Sequence, residues 1–290
     1  MCAAAFIRSS QRVIRRGRSK IITYAVDAKT AKIFQTAILI FFVFLSPLRA
    51  AIDLDQLSSE DAKKVDAILQ KLNPLIQQKK SEGTLPILSY LELYSPLNGE
   101  EKLFLETMQA IRPPEIGVKT PHLETPDKVP ELVRLDKQSI QKNGKQVYLE
   151  SQYLPRDVHD QYGGMMEAME KELGKRLYVE SGYRAPAYQL YLFIFYLVQH
   201  RYSIRETARL NALPGYSEHG CPWRQAIDFI SQNGISGEEN AESFEVLEEY
   251  RWLMKHAHEY HFYLSYPRVN LWGIAFEPWH WHYEREKKDA

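Results

Sequence analysis

The most informative segment of the sequence is E-P-W-H-W-H-Y, residues 277–283, in a chain of 290 residues. Glu277 and His280 lie three positions apart beside two tryptophans. Taken alone, a Trp-rich terminal segment is typical of a buried strand, and a single histidine within it is typical of a packed core residue. Two further motifs lie upstream, and together the three predict one site.

The upstream motifs supply a second imidazole and a carboxylate. They are S-E-H at residues 217–219 and A-I-D at residues 226–228. Two imidazoles and one carboxylate suit a zinc ion whose fourth position stays open for water. We therefore predict one zinc ion per chain, held by His219, Asp228 and His280. Glu277 is the acid expected beside that water, and it is the predicted general base.

A fourth segment, S-G-Y-R at residues 181–184 followed by Gln189, completes a pattern. In this order, S-G-Y-R…Q, S-x-H…A-x-D and E-P-W-H-x-x-Y resemble the motifs of the VanY-type D-alanyl-D-alanine carboxypeptidases, and the similarity covers residues 125–286. These zinc peptidases are related to the D-Ala-D-Ala dipeptidases and share a fold with lysostaphin and the hedgehog domain. The resemblance implies a zinc peptidase whose substrate is a peptidoglycan stem peptide.

The resemblance also implies roles for residues outside the zinc set. Arg184, Gln189 and Ser217 match positions that contact substrate in the family. The guanidinium of Arg184 suits a carboxylate or a developing oxyanion because its planar fork can make two parallel hydrogen bonds. We therefore group Arg184 with Glu277 as catalytic. The alternative for Arg184 is a structural ion pair, and the alternative for Ser217 is a turn cap.

The spacing from His219 to Asp228 departs from the family pattern. S-x-H-x-x-G-x-A-x-D has seven positions from His to Asp, whereas this chain has nine. A glycine and a proline in the intervening loop favour turns, which can absorb two extra residues. Cys221, in the same loop, is an alternative ligand because thiolate binds zinc well. His282 shares a strand face with His280 and is either an outer partner or a substitute ligand.

Several functions fit these residues. The first is a D,D-carboxypeptidase that trims cell-wall peptides, with an L,D-carboxypeptidase or an endopeptidase of the same family as variants. The second is a catalytically silent module that binds peptidoglycan. Glu277 favours an enzyme, because a module that only binds needs no general base.

The charge distribution argues against a nucleic-acid partner. Net charge is zero, but residues 1–50 hold nine Lys/Arg and one acid, which leaves 28 basic and 36 acidic residues in the rest. An acidic chain does not match the basic surface that phosphate contacts require. The two cysteines, Cys2 and Cys221, lie in separate segments, so removal of the N-terminus would leave no internal disulfide.

Residues 1–50 are predicted to direct export. A basic stretch precedes an apolar run over residues 37–45, which is too short for a span of about 20 residues. Ser46-Pro47 breaks the run, and Ala50-Ala51 offers small residues for cleavage. The mature protein is thus expected in the periplasm, elsewhere in the cell envelope or outside the cell. An uncleaved membrane anchor through residues 33–45 and a buried helix are the alternatives.

Hydrophobic periodicity divides the remaining chain. Residues 51–112 are predicted as a helical extension, with a capped helix after Ser58, a kink or end at Pro74 and a second helix over residues 100–111. Residues 113–130 are predicted as a linker or strap.

Residues 131–290 are predicted as the catalytic domain. An apolar stripe over residues 158–173 predicts a helix whose methionines fill the core. Strands are expected at 177–180 and 225–230, and helices at 187–200 and 242–259, with short strands at the end. Helices and strands that are segregated rather than alternating predict an α+β fold, with a small, mainly antiparallel sheet flanked by helices.

Overall fold

The computed structural model describes residues 52–117, 119, 123, 131–221 and 223–285. Residues 52–290 cluster into one compact unit. The predicted export segment, with its alternative anchor at 33–45, and most of the predicted strap lie outside the described residues. Within the described ranges, no helix combines the length and apolar character needed to cross a membrane.

Helix α1 (Ser59–Glu82) begins where the sequence predicted. The hydroxyl of Ser58 accepts a hydrogen bond from the backbone N–H of Asp61, which caps the helix. The predicted kink or end at Pro74 does not interrupt it, since α1 runs through that residue. Buried Leu72 and Ile76 flank Pro74, and their packing outweighs the loss of one backbone hydrogen bond.

Two shorter helices follow and complete a first core. Both α2 (Tyr90–Tyr94) and α3 (Gly99–Gln109) begin with capping boxes, and α3 confirms the helix predicted over residues 100–111 to within two residues. Their buried side chains pack together with those of α1, α5 (Pro186–Gln199) and α6 (Ile204–Ala208). The buried face of α5 comprises Ala187, Gln189, Leu190, Phe193, Ile194 and Leu197.

The first strands pair in two small antiparallel ladders. Strand β1 (Leu132–Leu135) pairs with β4 (Gln152–Pro155), and β2 (Ser139–Lys142) pairs with β3 (Lys145–Tyr148). Helix α4 (Arg156–Leu173) follows directly. Three of its methionines are fully buried, which confirms their prediction as core residues.

The main sheet is formed by β5 (Leu177–Ser181), β6 (Ala226–Ser231), β7 (Phe262–Leu264) and β8 (His280–Tyr283). Its order is β5-β6-β8-β7, and every pair is antiparallel. A second core joins this sheet to α4, α7 (Ala241–Glu245) and α8 (Glu248–His256). The predicted α+β class, with a small antiparallel sheet flanked by helices, is confirmed.

One predicted helix is divided. The sequence predicts a single helix over residues 242–259, whereas α7 ends at Glu245 and α8 begins at Glu248. Leu247 separates them because its backbone is extended, with φ −64° and ψ 146°. The interruption turns the chain, so that α8 packs against α4.

Candidate active site

Strands β6 and β8 bring Asp228 and His280 together. The two residues are directly opposite in the antiparallel register, so their side chains leave the sheet on the same face. His280 Nδ1 lies 2.8 Å from Asp228 Oδ1. Two of the three predicted ligands are therefore neighbours because the sheet pairs their strands.

His219 approaches the same point from a short 3₁₀ turn, Glu218–Gly220. Its Nδ1 lies 2.7 Å from the carbonyl oxygen of Gly182. A carbonyl only accepts hydrogen bonds, so Nδ1 carries the proton and Nε2 keeps its lone pair. Nε2 lies 3.1 Å from Asp228 Oδ2. The S-G-Y-R segment therefore orients a residue of the S-E-H segment toward the strand pair.

The donor set fits a metal ion. One possible ligand atom from each of His219, Asp228 and His280 lies within 4.8 Å of the other two. Among the described residues, His219 Nε2 and Asp228 Oδ1 are buried atoms that make no hydrogen bond of acceptable geometry, although each has a close neighbour, Asp228 Oδ2 at 3.1 Å and His280 Nδ1 at 2.8 Å respectively. A buried polar atom without a partner is costly, and coordination to a cation would satisfy both. Two nitrogens and one oxygen form a set that zinc accepts.

The buried imidazoles and carboxylates of the cluster shift one another's pKa. Burial opposes a charged His280, but the Asp228 and Glu218 carboxylates outweigh burial and raise the pKa of His280 to about 10. Burial, with help from the Arg184 charge, lowers the pKa of His219 to about 4. Burial alone would raise the pKa of Asp228, but the two imidazoles outweigh burial and hold the pKa of its carboxyl well below the usual range. Asp228 is thus ionised and ready to bind a cation.

The long His219–Asp228 spacing is accommodated by turns. The N–H of Cys221 donates to the Glu218 carbonyl, and the N–H of Arg224 donates to the Cys221 carbonyl. Cys221 is buried, and burial raises the pKa of its thiol to about 11. Within the described chain, Cys221 is not part of the group that could hold a metal, whereas Asp228 is.

Glu277 lies beside the cluster, although it does not belong to strand β8. On a flat strand, an offset of three would place Glu277 and His280 on opposite faces. Instead the N–H of His280 donates to the Glu277 carbonyl, which forms a tight turn before β8 begins. Glu277 Oε2 thereby lies 3.5 Å from His280 Nδ1. Burial, reinforced by the Asp228 charge, raises the pKa of Glu277 to about 7.

The predicted substrate residues lie in the same cavity. Arg184 Nη1 donates to Gln189 Oε1 at 3.2 Å, and Arg184 Nη2 lies 3.3 Å from Asp228 Oδ2. Gln189 in turn donates to the Ala212 carbonyl. The cavity measures about 730 Å³, and its walls include Arg184, Gln189, Ser217, His219, Glu277 and His280. Arg184 thus combines the ion pair that its alternative interpretation required with a position facing the cavity.

The segment that contains all of these residues matches a known protein family. Residues 151–286 match the model of the VanY family, described as D-alanyl-D-alanine carboxypeptidase. These residues form a VanY-family domain. The chain is also similar to YodJ of Bacillus subtilis (strain 168), whose name describes a carboxypeptidase, with 29% identity over 144 residues. That match covers 48% of this chain and 49% of YodJ, so the chain spans about half the length of this relative.

Solved structures of similar proteins include an LD-carboxypeptidase and a protein bound to D-alanine-D-alanine. An LD-carboxypeptidase, LdcB, is 24% identical and covers 58% of this chain and 72% of its own, with a TM-score of 0.43. VanYB in complex with D-alanine-D-alanine is 23% identical and covers 55% of this chain and 80% of its own, with a TM-score of 0.40. DacB from Streptococcus pneumoniae D39 is 25% identical, covers 51% and 81%, and has a TM-score of 0.35.

Glu218 is a feature of the VanY domain to which the sequence analysis assigned no role. Glu218 is buried, and its carboxylate lies on the side of His280 away from Asp228. Burial opposes its charge, but a hydrogen bond from His280 and the nearby charges outweigh burial and hold the pKa of Glu218 well below its usual range. Its place beside His219 was visible in the sequence. Its contact with His280, 62 positions away, depends on the fold.

His282 belongs to the surroundings of the cluster in this domain. It lies on the same face of β8 as His280, because side chains two positions apart on a strand point to the same side. Its Nδ1 lies 2.7 Å from Ser265 Oγ and its Nε2 lies 3.1 Å from Glu284 Oε1. Within the described residues it is not part of the metal-binding group, so its position matches an outer partner and not a substitute ligand.

Proposed function

We propose that the chain is a zinc-dependent D-alanyl-D-alanine carboxypeptidase that hydrolyses the terminal peptide bond of peptidoglycan stem peptides. The observation that carries this proposal is the convergence of His219, Asp228 and His280, with Glu277 beside them, on one wall of a large cavity. The description of the matching family, D-alanyl-D-alanine carboxypeptidase, supports the same reaction.

The three clustered side chains would hold one zinc ion. Zinc bound by such a set polarises a carbonyl oxygen and acidifies water. The protein contributes the neutral Nε2 of His219, the ionised Asp228 and the Nδ1 of His280, each fixed by a hydrogen bond or by strand pairing. The two ligand histidines are themselves buried, since His219 is 1% exposed and His280 is 6% exposed.

Glu277 would move the proton. In the metal-free protein, burial raises the pKa of Glu277 to about 7. The charge of a nearby zinc ion would lower this pKa, which leaves Glu277 ionised and able to accept a proton at neutral pH. Glu277 takes a proton from the attacking water and delivers it to the nitrogen of the departing residue. The new bond joins the water oxygen to the scissile carbonyl carbon, and the carbon–nitrogen bond breaks.

Arg184 would bind the free carboxylate at the C-terminus of the substrate. Its side chain is 15% exposed, and the Gln189 and Asp228 contacts hold the guanidinium at the cavity wall. A guanidinium fork binds a carboxylate with two parallel hydrogen bonds, whereas an ammonium is a single point charge. A carboxypeptidase needs a residue that recognises the terminal carboxylate of its substrate, and an endopeptidase does not.

The decisive experiment compares substrate termini. Zinc-loaded protein is incubated with a muropeptide pentapeptide whose final D-alanine is free or amidated, and released D-alanine is read by mass spectrometry. We expect cleavage of the free peptide and little cleavage of the amidated one. Arg184→Lys should lose most activity, whereas Arg209→Lys, an exposed guanidinium on the same cavity, serves as the matched control.

Each other outcome identifies a different function. Equal rates on free and amidated peptides would make the protein an endopeptidase. Release of D-alanine from the tetrapeptide but not from the pentapeptide would make it an L,D-carboxypeptidase. Binding of both peptides without cleavage would make it a silent recognition module.

We also propose that the protein is exported to the periplasm, the cell envelope or the outside of the cell. The support is the basic stretch followed by the apolar run at residues 37–45. N-terminal sequencing of protein isolated from its native host should find a mature chain that begins near residue 51. An intact N-terminus in the membrane fraction would indicate an anchor through residues 33–45, and one in the cytosol would contradict export.

A further inference from the structure

We propose that Glu218, held in place by Ser265 and Arg224, is a positioning residue that fixes the tautomer and ring orientation of His280. The inference rests on the metal site of the proposed function, and it assigns Glu218 a role distinct from that of the base, Glu277. The two acids lie against opposite nitrogens of the same imidazole.

The two ring nitrogens of His280 face different partners. Nε2 lies 3.1 Å from Glu218 Oε2, and Nδ1 lies 2.8 Å from Asp228 Oδ1. An ionised carboxylate only accepts hydrogen bonds, so Glu218 requires the proton on Nε2. The lone pair of a neutral His280 is then on Nδ1, the nitrogen that faces Asp228. Without Glu218, nothing on the Nε2 side among the described contacts selects that tautomer.

Glu218 is itself fixed by two donors. Ser265 Oγ donates to Oε2 at 2.5 Å, and Arg224 Nε donates to Oε1 at 2.7 Å. Arg224 also binds Glu284 Oε1 through Nη1, just after β8. The carboxylate is 7% exposed and the guanidinium 27% exposed, so the contact is largely shielded from solvent. Both oxygens of Glu218 are thus partnered, and its plane is set against the imidazole.

The position of Arg224 gives the long loop a function. Arg224 belongs to the segment between His219 and Asp228 that has nine positions instead of seven. The turn that ends at Arg224 directs its guanidinium back to Glu218, one residue before His219. The 3₁₀ turn Glu218–Gly220 therefore carries both the ligand His219 and Glu218, the residue that orients the ligand His280. Displacement of this turn would disturb both imidazoles together.

A purely structural ion pair predicts something different. If Glu218 only stabilised the fold, its loss would lower the melting temperature and leave metal affinity unchanged. Outer partners of metal-binding histidines affect affinity directly, typically by 10- to 100-fold on mutation. Metal affinity and the protonation of one ring nitrogen therefore separate the two roles.

The test uses Glu218→Ala, Glu218→Gln and Arg224→Ala in the full chain. Zinc affinity is measured by competition with a chromophoric chelator, and melting of the metal-free protein by circular dichroism. We expect Glu218→Ala to bind zinc about 10- to 100-fold more weakly. Glu218→Gln should recover part of the loss because an amide oxygen still accepts from Nε2. Arg224→Ala should show a smaller loss, since Ser265 still holds one oxygen.

A matched control tests whether any buried carboxylate has this effect. Glu249 is 5% exposed and lies outside the catalytic cavity. Glu249→Gln should keep wild-type zinc affinity even if it melts at a lower temperature. Wild-type zinc affinity in both Glu218 variants, with melting temperature alone reduced, would overturn the proposal.

A second measurement does not need the metal. In nitrogen-15 spectra of histidine-labelled, metal-free protein, the Nε2–H of His280 should exchange slowly in the wild type and rapidly in Glu218→Ala. Equal exchange in both would also overturn the proposal. If wild-type protein binds no zinc while this difference is present, the proposed metal function fails and the positioning role of Glu218 stands.

Discussion

Glu277 combines burial with a contact to the cluster, and this pair of properties makes its role testable. We predict that Glu277→Gln keeps zinc affinity within about threefold but lowers turnover by at least about 10²-fold, a usual scale for loss of a general base. Zinc content by mass spectrometry and turnover on a pentapeptide measure the two effects. Glu238→Gln removes an exposed charge from the rim of the same cavity and should turn over normally.

Near-normal turnover of Glu277→Gln would contradict the assignment and point to a different base. Glu218 is not the replacement, because it lies on the Nε2 side of His280 and three groups already occupy its oxygens.

The proton on His280 predicts how the metal-free protein responds to pH. The pKa of His280 is about 10 in the folded state and 6.5 in an unfolded chain. Between these values the folded state holds a proton that the unfolded state has lost. The free energy of unfolding therefore falls as pH rises from 6.5 to 10, and the stabilisation is fully present only below 6.5.

Melting curves of chelator-treated protein at pH 7 and pH 10 measure this effect. Because other groups also titrate in this range, the quantity to compare is the drop in wild type against the drop in His280→Asn. We expect the wild type to lose more, and zinc to reduce its loss, since the metal takes the place of the proton. An equal drop in both proteins would show that His280 carries no such proton.

The sequence predicted the residues of the candidate site better than their contacts. His219, Asp228 and His280 could be chosen because zinc requires particular donor types, and the fold does bring them together. Glu218 was missed because a carboxylate beside a ligand shows no pattern of its own. Its role depends on a distance to His280, which only the pairing of β6 with β8 creates.

The turn after β5 supports the site through its backbone. Gly182 supplies the carbonyl that orients His219, and a Cβ at this position would lie 2.3 Å from the carbonyl oxygen of Tyr153. We predict that Gly182→Ala shifts this turn, destabilises the protein by about 1–3 kcal/mol and weakens zinc binding. Thermal melting and chelator competition measure both effects.

Gly163 is the matched control for that substitution. It lies within α4, and a Cβ there would contact nothing within 4 Å. Gly163→Ala should leave zinc affinity unchanged and stabilise the protein by about 0.5–1 kcal/mol, because alanine favours a helix. If the two variants behave alike, the close approach at Gly182 has no effect on the site.

Elements with strong periodicity were predicted well, and their interruptions were not. The caps of α1 and the apolar stripe of α4 are local signals, so the sequence contains them in full. The continuation of α1 through Pro74 depends on packing with other helices. The break at Leu247 and the turn at Glu277 likewise follow from where neighbouring elements lie, which periodicity does not record.

The N-terminal helices are joined to the VanY domain through α5. That helix buries one face in the first core with α1 to α3, and it carries the cavity residue Gln189. The connection reaches the site directly, because the N–H of Ala185 donates to the carbonyl of Pro86 and Tyr153 donates to the carbonyl of Gly83. Ala185 immediately follows Arg184, so the N-terminal helices hold the segment that orients Arg184, the residue predicted to bind the substrate carboxylate.

This arrangement predicts that the family-matched domain does not fold without the helices before it. Removal of residues 1–130 would expose four large side chains of α5, namely Leu190, Phe193, Ile194 and Leu197. At about 1.5–3 kcal/mol for each buried side chain, the loss is roughly 6–12 kcal/mol, which is comparable to the entire stability of a typical domain, about 5–15 kcal/mol. The truncated protein should therefore be insoluble or lack a cooperative melting transition.

A protein that lacks only residues 1–51 is the control, and it should melt cooperatively and bind zinc. Circular dichroism and size-exclusion chromatography compare the two truncations. A soluble, cooperative and zinc-binding fragment of residues 131–290 would show that α5 does not need the first core. In that case residues 52–117 would be an accessory region, and Arg184 would have to be positioned by contacts within the VanY domain, chiefly those with Gln189, Asp228 and the His219 carbonyl.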